Sequence, residues 1–155
     1  MTEDTYGREV LMTRVFDAPR ELVWNAFTGP AQLVKWWGPQ GFTTTIHAMD
    51  VRPGGIWRHT MHGPDGTDYV NECKFIEVVK PERIIYSQMG GKVGDPGIPC
   101  EVTWTFEAQG NKTKLTGRMV FPSAEISKHV AKTYGVVEGG KQTLERLAGH
   151  LSKRS

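Results

Sequence analysis

Between Thr43 and Phe121 apolar and polar residues alternate with a period of two, in six runs parted by tight-turn residues. The runs Thr43–Val51, Gly55–His62, Thr67–Val79, Arg83–Met89, Glu101–Ala108 and Lys112–Phe121 are the predicted strands. Arg52-Pro53-Gly54-Gly55, Gly63-Pro64-Asp65-Gly66, Lys80-Pro81-Glu82 and Gln109-Gly110-Asn111 join four pairs of them. Connections this short return the chain beside itself, so the strands are expected to pair as an antiparallel meander. One connection is longer: Gly90 to Gly97 carries four glycines in eight residues and is the expected mobile loop.

Before the meander, Arg8–Phe16 reads as a strand, with Val10, Met12 and Arg14 on one face and Leu11, Thr13 and Val15 on the other. It stops at Asp17-Ala18-Pro19. Pro19 suits the first turn of a helix running to about Phe27, and Asp17 is placed to cap it. Its expected apolar face is Leu22, Val23, Ala26 and Phe27. Gly29-Pro30 ends that helix, and a second short one is expected from Ala31 to about Trp36.

After the meander, Ser123 to about Lys153 reads as one long helix, with Ser123 as N-cap and Glu125 in the first turn. Ile126, Val130, Tyr134, Val137, Leu144, Ala148 and Leu151 fall on one stripe at helical spacing. Gly139-Gly140 interrupts the pattern, but the register continues beyond it, so a bend is expected there. Gly140 lies on the stripe, where a missing side chain admits a close neighbour, with packing against a Trp or Phe as the expected use.

At 155 residues the chain fits a single domain, 1–155, with its core at about 8–152. Nineteen Lys and Arg stand against 17 Asp and Glu, dispersed along the chain. That balance argues against nucleic acid or an anionic membrane as the partner. No apolar run approaches a membrane span, and the acidic N-terminus lacks the pattern of a secretory signal, so a cytoplasmic location is expected. Cys73 and Cys100 have no metal-ligand spacing and read as free thiols.

Three of the five tryptophans cluster with turn residues in Trp36-Trp37-Gly38-Pro39, followed by Gly41-Phe42, and in Asp50-Val51-Arg52-Pro53-Gly54-Gly55-Ile56-Trp57-Arg58. The order of strand, two short helices, antiparallel meander and long C-terminal helix resembles the α+β helix-grip fold of the START and Bet v 1 superfamily. Phe16-Asp17-Ala18-Pro19 with Val23-Trp24, Lys35 to Pro39, Asp50 to Gly55, Met61 to Gly66, Pro81-Glu82-Arg83-Ile84 and Gly140 to Leu147 narrow the resemblance. In that order and spacing they are similar to the AHSA1-like family, named for the activator of the Hsp90 ATPase. The family pattern often has Gly-Trp near the last helical turns, where this chain has Gly139-Gly140; a larger pocket or a looser helix is the implied consequence.

The resemblance implies a curved sheet of six or seven strands wrapped around the last helix, with either a closed core or an apolar cavity between them. Alternation puts Trp57, His59 and Met61 on one face, and the aromatic-rich face is the one expected inside. His59 then either orients a ligand or is a satisfied core histidine. Trp36 and Trp37 either cap the core or wall a pocket mouth with Phe42. One of the pair is expected to face in and the other partly out. Tyr86, Trp104, Tyr134 and Val137 complete the candidate ligand-binding set. Asp50 with Arg52 reads as a tie across a turn.

No metal site, cofactor motif or catalytic constellation is evident: the cysteines lack histidine partners, His59 and His62 point to opposite faces, and no phosphate-binding pattern occurs. Binding of a small apolar or aromatic molecule is therefore the favoured function. The resemblance also admits a polyketide cyclase-like enzyme and a chaperone-associated interaction module. Either a monomer or a homodimer is compatible with the sequence.

Overall fold

The computed structural model describes residues 8–92, 98–134 and 136–152, with the backbone only at residues 91, 92, 98, 130–134 and 136. Seven strands run in chain order: β1 (Glu9–Phe16), β2 (Thr43–Met49), β3 (Ile56–His62), β4 (Asp68–Val79), β5 (Arg83–Lys92), β6 (Ile98–Gln109) and β7 (Lys112–Val120). They form one antiparallel sheet in the order β1-β7-β6-β5-β4-β3-β2. The meander is as the turn chemistry predicts, and β1 closes onto β7 with Phe16 opposite Thr113. Helices α1 (Arg20–Thr28) and α2 (Pro30–Leu33) follow β1, and α3 (Ala124–Tyr134) and α4 (Val136–Ser152) follow β7.

Register carries the inward face across the sheet in rows. Trp57, Cys73, Gln88 and Cys100 are successive partners from β3 to β6. Phe75, Tyr86, Val102, Met119 and Val10 make the next row, from β4 to β1. Ile84, Trp104, Gly117 and Met12 make a third. Gly117 is needed there, because a Cβ at that position would overlap the six-membered ring of Trp104. An irregularity between Phe75 and Glu77 passes the inward side of β4 from Phe75 to Val78, which pairs with the buried Ile84, while Ile76 is exposed.

Phe27 of α1 sits at the centre of an aromatic cluster, with ring centroids 4.8 Å from Trp36, 5.1 Å from Trp104 and 5.2 Å from Phe106. Such pairs add about 0.5–1.5 kcal/mol each beyond area burial. Thr113, fully buried on β7, donates its hydroxyl to the Ala18 carbonyl at 2.7 Å and so fixes the turn entering α1. That helix has no side-chain cap. Asp17 does not take the expected role; the Pro19 carbonyl instead accepts the amides of Leu22 and Val23. Trp24, outside the expected apolar face, is buried, and Leu22 is only partly so.

Three further expectations are revised. The second helix spans only Pro30–Leu33, continued by turns through Trp36. Gly90, Gly91 and Lys92 belong to β5, because Gly90 pairs with both Asn71 and Ile98; residues 93–97 lie outside those described. The C-terminal segment is helical over 124–134 and 136–152 (α3 and α4), in line with the expected helix, with residue 135 outside those described, and Gly139-Gly140 lies within α4 without ending it. Ser123 does cap the start, accepting the Ile126 amide at 3.1 Å. Val137 shares the helical phase of Leu144, seven residues on, yet is 48% exposed, while Leu144, Leu147 and Leu151 are buried. It lies ahead of Gly139 and Gly140, the first described residues of α4 to line the cavity.

Candidate functional site

A partly open cavity of about 240 Å³ lies between the inward face of the sheet and α4. Met12, Met61, Tyr86, Val102, Trp104 and Met119 line it from the strands, and Gly139, Gly140, Thr143 and Leu144 line it from the helix. Trp37, Gly38, Pro39 and Phe42 supply a third wall. A second, more open depression of about 540 Å³ has charged walls, including Arg8, Glu72, Lys74, Glu101 and Arg118. The first, more apolar cavity is the one with the character of a small-molecule site.

The third wall depends on two positive-φ glycines and one arginine. Gly38 has φ 103° and Gly41 φ 86°, backbone conformations that other residues rarely adopt. Arg146 of α4 reaches across to donate to the carbonyls of Gly38 at 2.9 Å, Pro39 at 3.2 Å, and Trp37 and Lys35 at 3.4 Å. The Gln40 amide donates to Gln142 Oε1 at 3.1 Å, adding a second tie to the same helix. Thr44 donates to the Trp37 carbonyl at 2.9 Å. The Trp-Trp-Gly-Pro segment is thereby clipped to α4 through its backbone, leaving the side chains free to shape the wall.

The two adjacent tryptophans separate as expected. Trp36 is fully buried and donates its indole N–H to the Ala26 carbonyl at 3.0 Å. Trp37 is half-buried and lines the cavity. Its N–H donates to His59 Nε2 at 3.2 Å, and the His59 ring stacks on Trp57 with centroids 4.2 Å apart. His59 is 1% exposed and does not line the cavity. Burial, with a smaller contribution from His47, lowers its pKa to about 3, so the ring is neutral near pH 7. With Nε2 accepting, Nδ1 carries the hydrogen and has no partner among the described residues, and Trp57 Nε1 is likewise unpaired among them.

Of the ten residues anticipated from sequence, Trp37, Phe42, Met61, Tyr86 and Trp104 meet around the cavity. Trp36, Trp57 and His59 belong to the packed layer beside it. Val137 is exposed and stands apart from the lining. The side chain of Tyr134 lies outside the described residues, as does that of Val130 from the same helical stripe.

Sequence reasoning did not single out Asn71, Gln88, Met12 or Arg146. Asn71 and Gln88 had a readable signal, since alternation puts them on the faces of Cys73 and Tyr86. The structure gives Gly90 a role beside Asn71: a Cβ there would collide with the Asn71 carboxamide, so this glycine makes room for it. Gly140 admits Met12, whose Cε would be 2.7 Å from an added Cβ, and Gly139 admits Pro39. The close neighbours of the glycine pair are therefore Met12 and Pro39, not a Trp or Phe. Arg146 had no signal, because its acceptors are carbonyls that every residue possesses.

The polar inventory of the cavity is small and uncharged. The Tyr86 hydroxyl accepts the Trp104 indole N–H at 3.1 Å, and burial holds its pKa well above the usual phenol value. Burial pushes the Cys100 thiol up to about 12. Thr143 donates to the Gly139 carbonyl at 2.8 Å. On the outer face of the sheet, His62 bonds Asp68 Oδ1 and Thr45 Oγ1, both at 2.8 Å, tying the edge strand β2 to its neighbours. Asp50 and Arg52 form the expected tie, at 2.7 Å, across the turn before β3. Among the described residues, no three His, Cys, Asp or Glu side chains gather as a metal-binding group, and no helix is long and apolar enough to cross a membrane.

Comparison with known proteins agrees with this architecture. A protein of Mycobacterium smegmatis is 26% identical, with TM-score 0.84 over 96% of this chain and 93% of that one. One from Chromobacterium violaceum is also 26% identical, with TM-score 0.77 over 92% and 95%. A protein from Arthrobacter aurescens, 24% identical, shares the fold at TM-score 0.87 over 98% and 90%. No curated protein matches the chain. Residues 17–152 match the family described as activator of Hsp90 ATPase homolog 1-like protein, and the chain belongs to that family.

Proposed function

We propose that this protein binds a small, largely apolar or aromatic molecule in the cavity between the sheet and α4. The observation that carries the reading is the composition of that cavity: apolar and aromatic walls, with a few fixed polar groups, Tyr86, Asn71 and Gln88, set among them. This is the make-up of small-molecule sites generally. A purely structural core would be expected to close such a space, since interiors pack to crystal-like density and a void forfeits contacts on its whole lining. The ties from Arg146 and Gln142 support the same reading, because they hold the wall at 37–42 against the helix while leaving a gap behind it.

Naphthalene tests the proposal. Its titration should give a saturable change in the indole N–H resonances of Trp37 and Trp104, both of which line the cavity. Val102→Phe places extra volume in the same space and should abolish that change while the protein stays folded. Absence of any saturable change in the wild-type protein up to the solubility of naphthalene would overturn the reading.

A further inference from the structure

We propose that the ligand is an uncharged molecule of about bicyclic aromatic size bearing a carbonyl oxygen, which the Tyr86 hydroxyl holds from the sheet side. This names the chemical class for the cavity and rests on its being a binding site.

Size comes first. An apolar cavity of roughly 150 Å³ accommodates benzene. The cavity here is about 240 Å³, enough for a second fused ring or a short substituent. Charge comes next. Among the described residues, no Asp, Glu, Lys, Arg or His contributes to the lining. Arg146 stands nearby, but its guanidinium is already occupied by four backbone carbonyls. A carboxylate or ammonium in this space would lose its hydration without gaining an opposite charge, which is strongly unfavourable.

The polar groups then decide the functional group. The Tyr86 oxygen is used as an acceptor by Trp104 at 3.1 Å, which orients it and leaves its own proton without an acceptor among the described residues. Gln88 lies two residues on along the same face, and its Oε1 accepts from the Cys73 thiol at 3.9 Å. Its NH₂ group remains a donor. Asn71 makes one long bond, donating to the Tyr69 carbonyl at 3.4 Å, and occupies the space that Gly90 leaves. The unsatisfied capacity includes N–H and O–H donors that a carbonyl oxygen would complement. A hydrocarbon would leave them unpaired, and a buried unpaired donor is unfavourable.

Three near-isosteric probes test the class: 2-acetylnaphthalene, 2-isopropenylnaphthalene and 2-naphthoate, titrated against the indole N–H resonances of Trp37 and Trp104. The ketone should bind about five- to tenfold more tightly than the alkene, the usual worth of one net hydrogen bond. The naphthoate should bind at least about tenfold more weakly than the ketone. Tyr86→Phe should bring ketone and alkene to equal affinity; if that variant does not fold, the wild-type comparison decides alone. Equal binding of ketone and alkene, or tightest binding by the naphthoate, would overturn the class while leaving the cavity a binding site. No response to any of the three would overturn both.

Discussion

Trp37 stands between His59 and the cavity, donating its indole N–H to His59 Nε2 at 3.2 Å. The histidine singled out by alternation is therefore a core residue behind a tryptophan wall, stacked on Trp57 and kept neutral by burial.

That relationship sets a pH dependence. His59 has a folded pKa of about 3 against 6.5 for the free side chain, so the unfolded chain takes up a proton more readily than the folded one. Its contribution to stability is complete above about pH 6.5 and is lost as pH falls toward 3, by up to about 1.4 kcal/mol per pH unit within that window. Denaturant unfolding at pH 7 and pH 5 should show wild type losing more stability than His59→Phe. Equal losses in the two proteins would contradict the assignment.

Arg146 should matter for the loop more than for the fold. In Arg146→Met the four carbonyl contacts disappear, and amide hydrogen exchange at residues 38–42 should rise at least about tenfold while the central strands stay protected. Arg146→Lys should recover only part of the protection, since an ammonium cannot span carbonyls as a planar guanidinium does. Unchanged exchange in the Met variant would show that the glycines and Thr44 hold the segment unaided.

Two glycine substitutions should differ in outcome. Gly117→Ala pushes a methyl into the Trp104 ring, which is wedged between α1 and the sheet, and should destabilise by about 1–3 kcal/mol. Gly140→Ala meets only the flexible end of Met12 and gains helix propensity, worth about 1 kcal/mol, so its stability should lie within about 1 kcal/mol of wild type. Chemical denaturation of both variants measures the contrast, and equal destabilisation would contradict it.

Thr113→Val preserves shape but removes the hydroxyl that donates to Ala18. The stranded, buried carbonyl should cost about 1–3 kcal/mol in denaturant unfolding. A near-neutral result would mean that the turn at residues 17–19 relaxes to find another donor.

Much of this architecture is written in local pattern. Period-two alternation and the Pro and Gly turns specify strands that return beside one another, and alternation alone groups Trp57, His59 and Met61 on one side of their strand and Tyr86 with Gln88 on one side of theirs. Those are short-range properties of the backbone, so one sequence carries them. The family motifs are legible for the same reason: Gly38 and Gly41 are required by their own φ angles.

What the sequence could not decide is which inward residues meet open space and which meet each other. His59 and Tyr86 have the same inward direction, yet Trp37 covers the first and the cavity exposes the second. Val137 has the helical phase of Leu144 but stays exposed, because a stripe is buried only where a neighbouring surface reaches it. Arg146 found its place through carbonyls that leave no trace in side-chain identity. Each outcome depends on how α4 and the 37–42 segment dock against the sheet, a long-range packing equilibrium that local periodicity does not encode.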